Sequence, residues 1–154
     1  MKTVLLCGGK GTRIRGVADD VPKPMIQLNG YPILWHIMKY YSVYNYNEFI
    51  LCLGYKGQVI KDFFLNYESH TRDMTIKLGE KKSIEYHNHH DETDWDITLA
   101  ETGNDALTGA RVKRVQKYVK NDNNFMLTYG DGVGDINIKK LVDYHMSHGK
   151  ILTV

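Results

Sequence analysis

Two spacings of apolar residues alternate along this chain. Near-continuous apolar runs occupy residues 3–7, 49–53 and 125–129. Runs of that length and continuity predict strands buried on both faces of a parallel sheet. Between them lie segments whose apolar residues fall three and four apart. Residues 58–67 do so through Val59, Ile60, Phe63, Phe64 and Tyr67, residues 109–119 through Val112, Val115 and Val119, and residues 136–148 through Ile138, Leu141 and Val142. That spacing places one apolar stripe along a helix. Residues 32–41 read as a helix too, with Pro32 in the first turn, where a missing N–H costs nothing. Shorter runs at 74–78 and 84–87 flank a polar turn at 79–82. Residues 97–100 add a strand, and 151–154 start another. Strands alternating with helices predict an α/β domain with an open, mostly parallel sheet and helices on both faces.

Composition leaves that picture in place and removes some functions. The chain has 154 residues, enough for one domain with a core. Hydrophobic residues make up 42% and charged residues 25%, with a net charge of +2. So small a charge argues against a nucleic-acid or membrane partner. No apolar run approaches a membrane span, and the N-terminus enters a strand rather than a signal peptide. Cys7 and Cys52 both fall in predicted buried strands, as free thiols of a reducing cytoplasm. No repeat or low-complexity linker divides the chain, so 1–154 reads as one unit. A chain that stops inside an apolar strand, with no helix to close it, reads as truncated.

The candidate chemistry starts where the first strand ends. Leu6-Cys7-Gly8-Gly9-Lys10-Gly11-Thr12-Arg13 is a glycine loop closed by a hydroxyl and a guanidinium. Glycines let a ligand approach the backbone and offer unobstructed N–H donors. The planar fork of Arg13 suits phosphate oxygens. The loop is not a Walker loop, because its lysine precedes the last glycine, and not a dinucleotide fingerprint, because Ile14 stands where the third glycine belongs. Lys23 follows inside Pro22-Lys23-Pro24, whose rings restrain the lysine's backbone. The third feature is Gly130-Asp131-Gly132 at the end of the run 125–129. A carboxylate at a strand's C-terminal end lies where ligands bind in open α/β sheets. Mg²⁺ takes one or two carboxylates and completes its shell with substrate phosphates, so Asp131 is the expected metal ligand.

Glycine loop and Pro-Lys-Pro together resemble the signature of the sugar-1-phosphate nucleotidylyltransferases. Further stretches resemble the glucose-1-phosphate cytidylyltransferase branch: residues 32–38, Gly54-Tyr55-Lys56-Gly57, Trp95-Asp96-Ile97-Thr98-Leu99, Thr102-Gly103 and Thr108-Gly109 with Arg111 and Arg114. The chain departs from that branch at Cys7, where alanine is usual, and at Ala110, where glycine is. The resemblance implies a Rossmann-like nucleotidyltransferase fold, of which 1–154 would be the nucleotide-binding part. It implies transfer of a cytidylyl group from CTP to glucose 1-phosphate with Mg²⁺, giving CDP-glucose and pyrophosphate. It implies a bacterial cytoplasmic role in supplying surface-polysaccharide sugars, and a homo-oligomer. By the same resemblance Leu6, Cys7, Gly8 and Gly9 lie under the nucleoside, and Lys10, Gly11, Thr12 and Arg13 hold the phosphates. Lys23 sits by the α-phosphate, Arg111 reaches the nucleotide or its base, and Thr128 and Gly130 line base and ribose. Arg13, Lys23 and Asp131 form the expected catalytic set. The family's second metal aspartate and sugar-binding stretches have no counterpart here, so the expectation is a nucleotide half-site with little turnover of its own. Thymidylyl or guanylyl specificity, or a non-catalytic nucleotide-binding module, are the alternatives.

Other clusters read as structural. His87-Asn88-His89-His90 with Asp91, Glu92 and Asp94 lacks zinc-ligand spacing and reads as a polar loop. Trp35 and His36 are expected to pack on the sheet, and Tyr40, Tyr41, Tyr44 and Tyr46 to serve as core.

Overall fold

A computed structural model describes residues 1–10 and 21–154. Four parallel strands form its central sheet: β1 (Thr3–Leu6), β4 (Glu48–Leu53), β7 (Asp96–Glu101) and β8 (Met126–Tyr129). Their order across the sheet is β7-β4-β1-β8. Two short antiparallel ribbons stand apart from it, β2 (Gln27–Leu28) with β3 (Tyr31–Pro32), and β5 (Met74–Lys77) with β6 (Ser83–Tyr86). The helices are α1 (Ile33–Ser42), α2 (Gly57–Leu65), α3 (Tyr67–Thr71), α4 (Thr108–Val119) and α5 (Ile138–His148).

The period-2 alternation of the central strands divides the core in two. Leu5, Cys7, Phe49, Leu51 and Leu53 face one side, against Leu34, Ile37, Met38 and Tyr41 of α1, Ile60 of α2 and Ile138 of α5. Val4, Leu6, Ile50 and Cys52 face the other, against Val115 and Val119 of α4. Helices on both faces, as the sequence predicts, follow from the strand order. The chain steps outward from β1 to β4 to β7, then crosses back to β8 on the far side of β1. Right-handed crossovers running in opposite directions must use opposite faces. That reversal makes β1 and β8 a topological switch point, and ligand crevices open outside the C-terminal ends of such strands.

Several predicted elements need correction. Residues 125–129 do not form a buried strand. β8 is an edge strand of the described sheet, with Leu127 and Tyr129 about half exposed. Residues 151–154 form no strand, and Ile151, Leu152 and Val154 are exposed. Residues 58–67 divide at Asn66, whose side-chain amide donates to the Asp62 carbonyl and whose φ of −108° leaves the helical region. Asparagine offers the backbone such local alternatives to helix. The last helix begins at Ile138 because Asn137 caps it, Oδ1 accepting from the Lys140 N–H at 2.9 Å. Pro32 precedes α1 rather than lying inside it. Trp35 and His36 do not pack on the sheet. Trp35 stacks on Tyr31 and donates to Tyr67, while His36 bonds the Leu28 carbonyl oxygen. Of the tyrosines, Tyr41 is buried core and Tyr40, Tyr44 and Tyr46 pack partly against it.

Candidate functional site

A cavity opens at the switch point. It has a volume of about 500 Å³ and four walls. The end of β1 supplies Leu6, Cys7, Gly8, Gly9 and Lys10; the turn 23–24 supplies Lys23 and Pro24; Tyr129 and Asp131 lie at the end of β8. The fourth wall is the loop from β7 to α4, residues 104–108, with Arg111 behind it.

Each side chain is held by the physics of its segment. Pro22 and Pro24 bracket Lys23 in a 3-10 turn, closed by the Met25 N–H on the Pro22 carbonyl at 2.8 Å. Pro24 and Met25 are buried, so the core fixes the base of the lysine's stem. Gly130 is buried behind Asp131 and donates its N–H to the Leu6 carbonyl. A Cβ at Gly130 would stand 2.7 Å from Cys7 Sγ, so this close approach requires glycine. Burial in the core, first, and the neighbouring Cys52 and Asp131 push the Cys7 thiol well above its ordinary range. It lines the cavity as a neutral group. At the rim, Lys10 Nζ reaches Asp105 Oδ1 at 2.6 Å, and this bond holds the Asp105 carboxyl below its usual range.

Arg111 is the deepest charge in the site, only 5% exposed. Its Nη1 donates to the Leu53 carbonyl at 3.0 Å, Thr102 Oγ1 at 2.8 Å and the Gly103 carbonyl at 2.8 Å. Its Nη2 donates to the Gly8 carbonyl at 2.9 Å and the Asn104 carbonyl at 3.4 Å. All five acceptors are neutral, and Arg111 joins no ion pair among the described residues. The cavity floor therefore carries an uncompensated positive charge in a site of reduced dielectric, which favours an anionic ligand.

The expected residues fall into three groups. Leu6, Cys7, Gly8, Gly9, Lys10, Lys23, Arg111 and Asp131 come together around the cavity. Thr128 and Gly130 are not among the residues lining it. Thr128 is in register with Leu5 and so faces the side of Leu5 and Tyr41, while its neighbour Tyr129 takes the cavity position. Gly11, Thr12 and Arg13 lie outside the described residues. Sequence reasoning missed the wall 104–108. The crossover from β7 passes directly over the β1 end, and only the strand order reveals that. It also has Arg111 extending to a ligand, whereas the structure occupies both terminal nitrogens with protein carbonyls. The signal was available: Arg111, Val115 and Val119 fall four apart and are the buried stripe of α4.

For a divalent cation, Asp131 supplies one exposed carboxylate inside the cavity. No group of three or more metal-ligating side chains occurs among the described residues. One carboxylate beside room for phosphates fits Mg²⁺, which keeps non-protein ligands. The His87–His90 stretch is a polar loop, as expected: His87 bonds Thr75, and His90 sits between Glu68 and Glu92. No helix among the described residues is long and apolar enough to cross a membrane.

Comparison with known proteins gives the lineage. The family described as nucleotidyl transferase matches residues 2–154. The glucose-1-phosphate cytidylyltransferase of Salmonella typhimurium is 49% identical over all 154 residues, which span 59% of that protein. A D-glycero-alpha-D-manno-heptose 1-phosphate guanylyltransferase of Campylobacter jejuni is 33% identical over 142 residues, 92% of this chain and 52% of that protein. Among solved structures, HddC from Yersinia pseudotuberculosis complexed with GMP-PN superposes with a TM-score of 0.68 at 24% identity, over 95% of this chain and 54% of that one. That likeness bears on fold alone. The chain thus spans less than two thirds of the length of these relatives.

Proposed function

This chain belongs to the nucleotidyl transferase family, and from that premise we propose that its cavity is the nucleotide side of a glucose-1-phosphate cytidylyltransferase. The observation that carries the reading is the 49% identity to a glucose-1-phosphate cytidylyltransferase across the whole of this chain. The lysine, carboxylate and glycine loop gathered at the switch point are its physical support.

The reaction is in-line displacement. A phosphate oxygen of glucose 1-phosphate attacks the α-phosphorus of CTP, a new P–O bond forms, and pyrophosphate leaves with the electron pair of the broken one. The nucleophile is already an anion, so no general base is needed. The protein aligns the reactants and neutralises charge. Gly9 gives the nucleotide close access to the backbone, while Gly8 leaves room for the Arg111 guanidinium. Lys10 faces the phosphates, and Lys23 faces the α-phosphate and the incoming sugar phosphate. Asp131 would hold Mg²⁺, which when bound offsets phosphate charge. Arg13 belongs to the proposed catalytic set by its motif.

The test is a calorimetric titration of the chain with CTP, dTTP, GTP and ATP, each with Mg²⁺. Selective CTP binding, weakened in Asp131→Ala and Lys23→Ala, is the expected result. Preference for GTP or dTTP would replace the cytidylyl assignment with another base. Binding of none of the four would contradict the reading.

A further inference from the structure

Arg111 is buried, charged and surrounded by backbone, and two glycines exist at its side because nothing larger fits. A Cβ at Gly8 would stand 2.1 Å from its Nη1 and 2.4 Å from its Cζ. A Cβ at Gly54 would stand 2.5 Å from Nη1 and 2.9 Å from the Gly103 carbonyl oxygen. The guanidinium therefore occupies a slot between the loops that follow β1 and β4, and its hydrogen bonds extend to the loop after β7. Three loops far apart in sequence are tied to one planar group. An arginine supplies five donors in a fixed fork, which a lysine cannot reproduce.

The consequence lies on the other side of the bonded peptides. In a trans peptide the C=O and N–H point in opposite directions. Arg111 holds the carbonyls of Gly8, Gly103 and Asn104, so the N–H groups of Gly9, Asn104 and Asp105 are turned away from it. Gly9, Asn104 and Asp105 all line the cavity. None of their three N–H groups has a hydrogen-bond partner among the described residues. Aligned, unpartnered backbone donors are what an oxygen-rich anion needs.

We propose that Arg111 is a positioning residue that acts on the nucleotide through these peptides, presenting the N–H groups of Gly9, Asn104 and Asp105 to its oxygen acceptors. The inference rests on the nucleotide-site reading and adds a route to it. Its charge contributes at the cavity floor, but its hydrogen bonds are made to the protein.

The experiment compares the wild-type chain with Arg111→Lys and Gly54→Ala. Gly54 does not line the cavity, so its methyl can reach the nucleotide only by displacing the guanidinium or the Gly103 peptide. Amide resonances are recorded without ligand, and CTP affinity with Mg²⁺ is measured well below each melting temperature. The expected result is a shift of the Gly9, Asn104 and Asp105 amides in both variants, with α5 resonances unchanged. CTP binding should weaken about tenfold or more, the equivalent of one lost charge-assisted hydrogen bond. A residue with only a structural role would lower the melting temperature and leave the affinity of the folded chain intact; that outcome overturns the proposal. Loss of affinity in Arg111→Lys with none in Gly54→Ala also overturns it, in favour of direct contact. A wild-type chain that binds CTP while both variants bind equally well refutes this inference alone. A wild-type chain that binds no nucleotide refutes the nucleotide-site reading and this inference with it.

Discussion

Cys7 and Cys52 meet where β1 and β4 end, the Cys7 N–H donating to the Cys52 carbonyl at 3.1 Å. Both are free thiols, buried on opposite faces of the sheet. Burial pushes Cys52 up to about 11 and Cys7 higher still. Thiols react as thiolates, so both should label with a thiol reagent only when the chain unfolds. Labelling of the native chain at the rate of a free cysteine would contradict the burial. The sign of the pH effect follows. A folded value raised above the unfolded one gives stability that is fully present below about pH 8.5 and lost as pH rises through about 11. Thermal melts at pH 7.5 and 10.5 should show the loss, and Cys52→Ala should reduce it. Lys23 carries the catalytic prediction at this scale. In an assembly that synthesises CDP-glucose, Lys23→Ala should lower kcat by about a hundredfold or more, as loss of one preorganised charge contact does. Unchanged kcat would remove it from the site. At this scale, Gly8, Gly9, Lys23 and Asp131 were legible as residues that meet around one cavity, because each stands in a local motif at the end of a strand or beside a turn. The burial of Arg111 was signalled only by its spacing of four from Val115 and Val119, a cue its charged neighbours mask. Lys113 and Arg114 beside it made a wet helix face the natural reading, and only the position of α4 under three loops turns one of these charges inward.

Among the elements, β1 and β4 are covered on both faces, and there continuous apolar runs were a sufficient signal. Leu51 is fully buried, in the cluster that includes residues of α1 and α2. Leu51→Ala should cost about 2–5 kcal/mol in a denaturant titration, from lost transfer energy and the cavity left behind. A cost under about 1 kcal/mol would mean that the site collapses or that the core is loose. The Asn137 cap makes a smaller, separable contribution. Asn137→Ala should cost about 1 kcal/mol, because one α5 N–H loses its acceptor. Apolar content failed as a guide at β8 and at 151–154. Both carry the right residues for a buried strand, yet burial depends on what lies beside a segment: β8 is an edge of the described sheet, and 151–154 are exposed beyond α5. The break at Asn66 was also illegible, since the spacing of Phe63, Phe64 and Tyr67 runs through it while a side-chain amide redirects the backbone.

In the whole molecule, the cavity exists because of the strand order. Neither the loop after β1 nor the loop after β7 encloses anything alone, and Lys10 and Asp105 pair across 95 positions of sequence. Both side chains are exposed, so the pair is weak and sensitive to salt. The lowered Asp105 value makes it present above about pH 4 and lost as pH falls further. A triphosphate would compete with Asp105 for Lys10. Asp105→Asn should therefore tighten CTP binding a few-fold at low ionic strength, and the difference should vanish at high salt; weaker binding would mean that the carboxylate contributes to the ligand. Sequence alone could not place residues 104–108, because no local pattern says which loop will cross the end of β1. The most direct test is a crystal structure of this chain with CTP and Mg²⁺. The expected density is a triphosphate along Gly9 and Lys10, its α-phosphate near Lys23, and the metal on Asp131. A nucleotide bound anywhere else, or an empty cavity at saturating CTP, would contradict it.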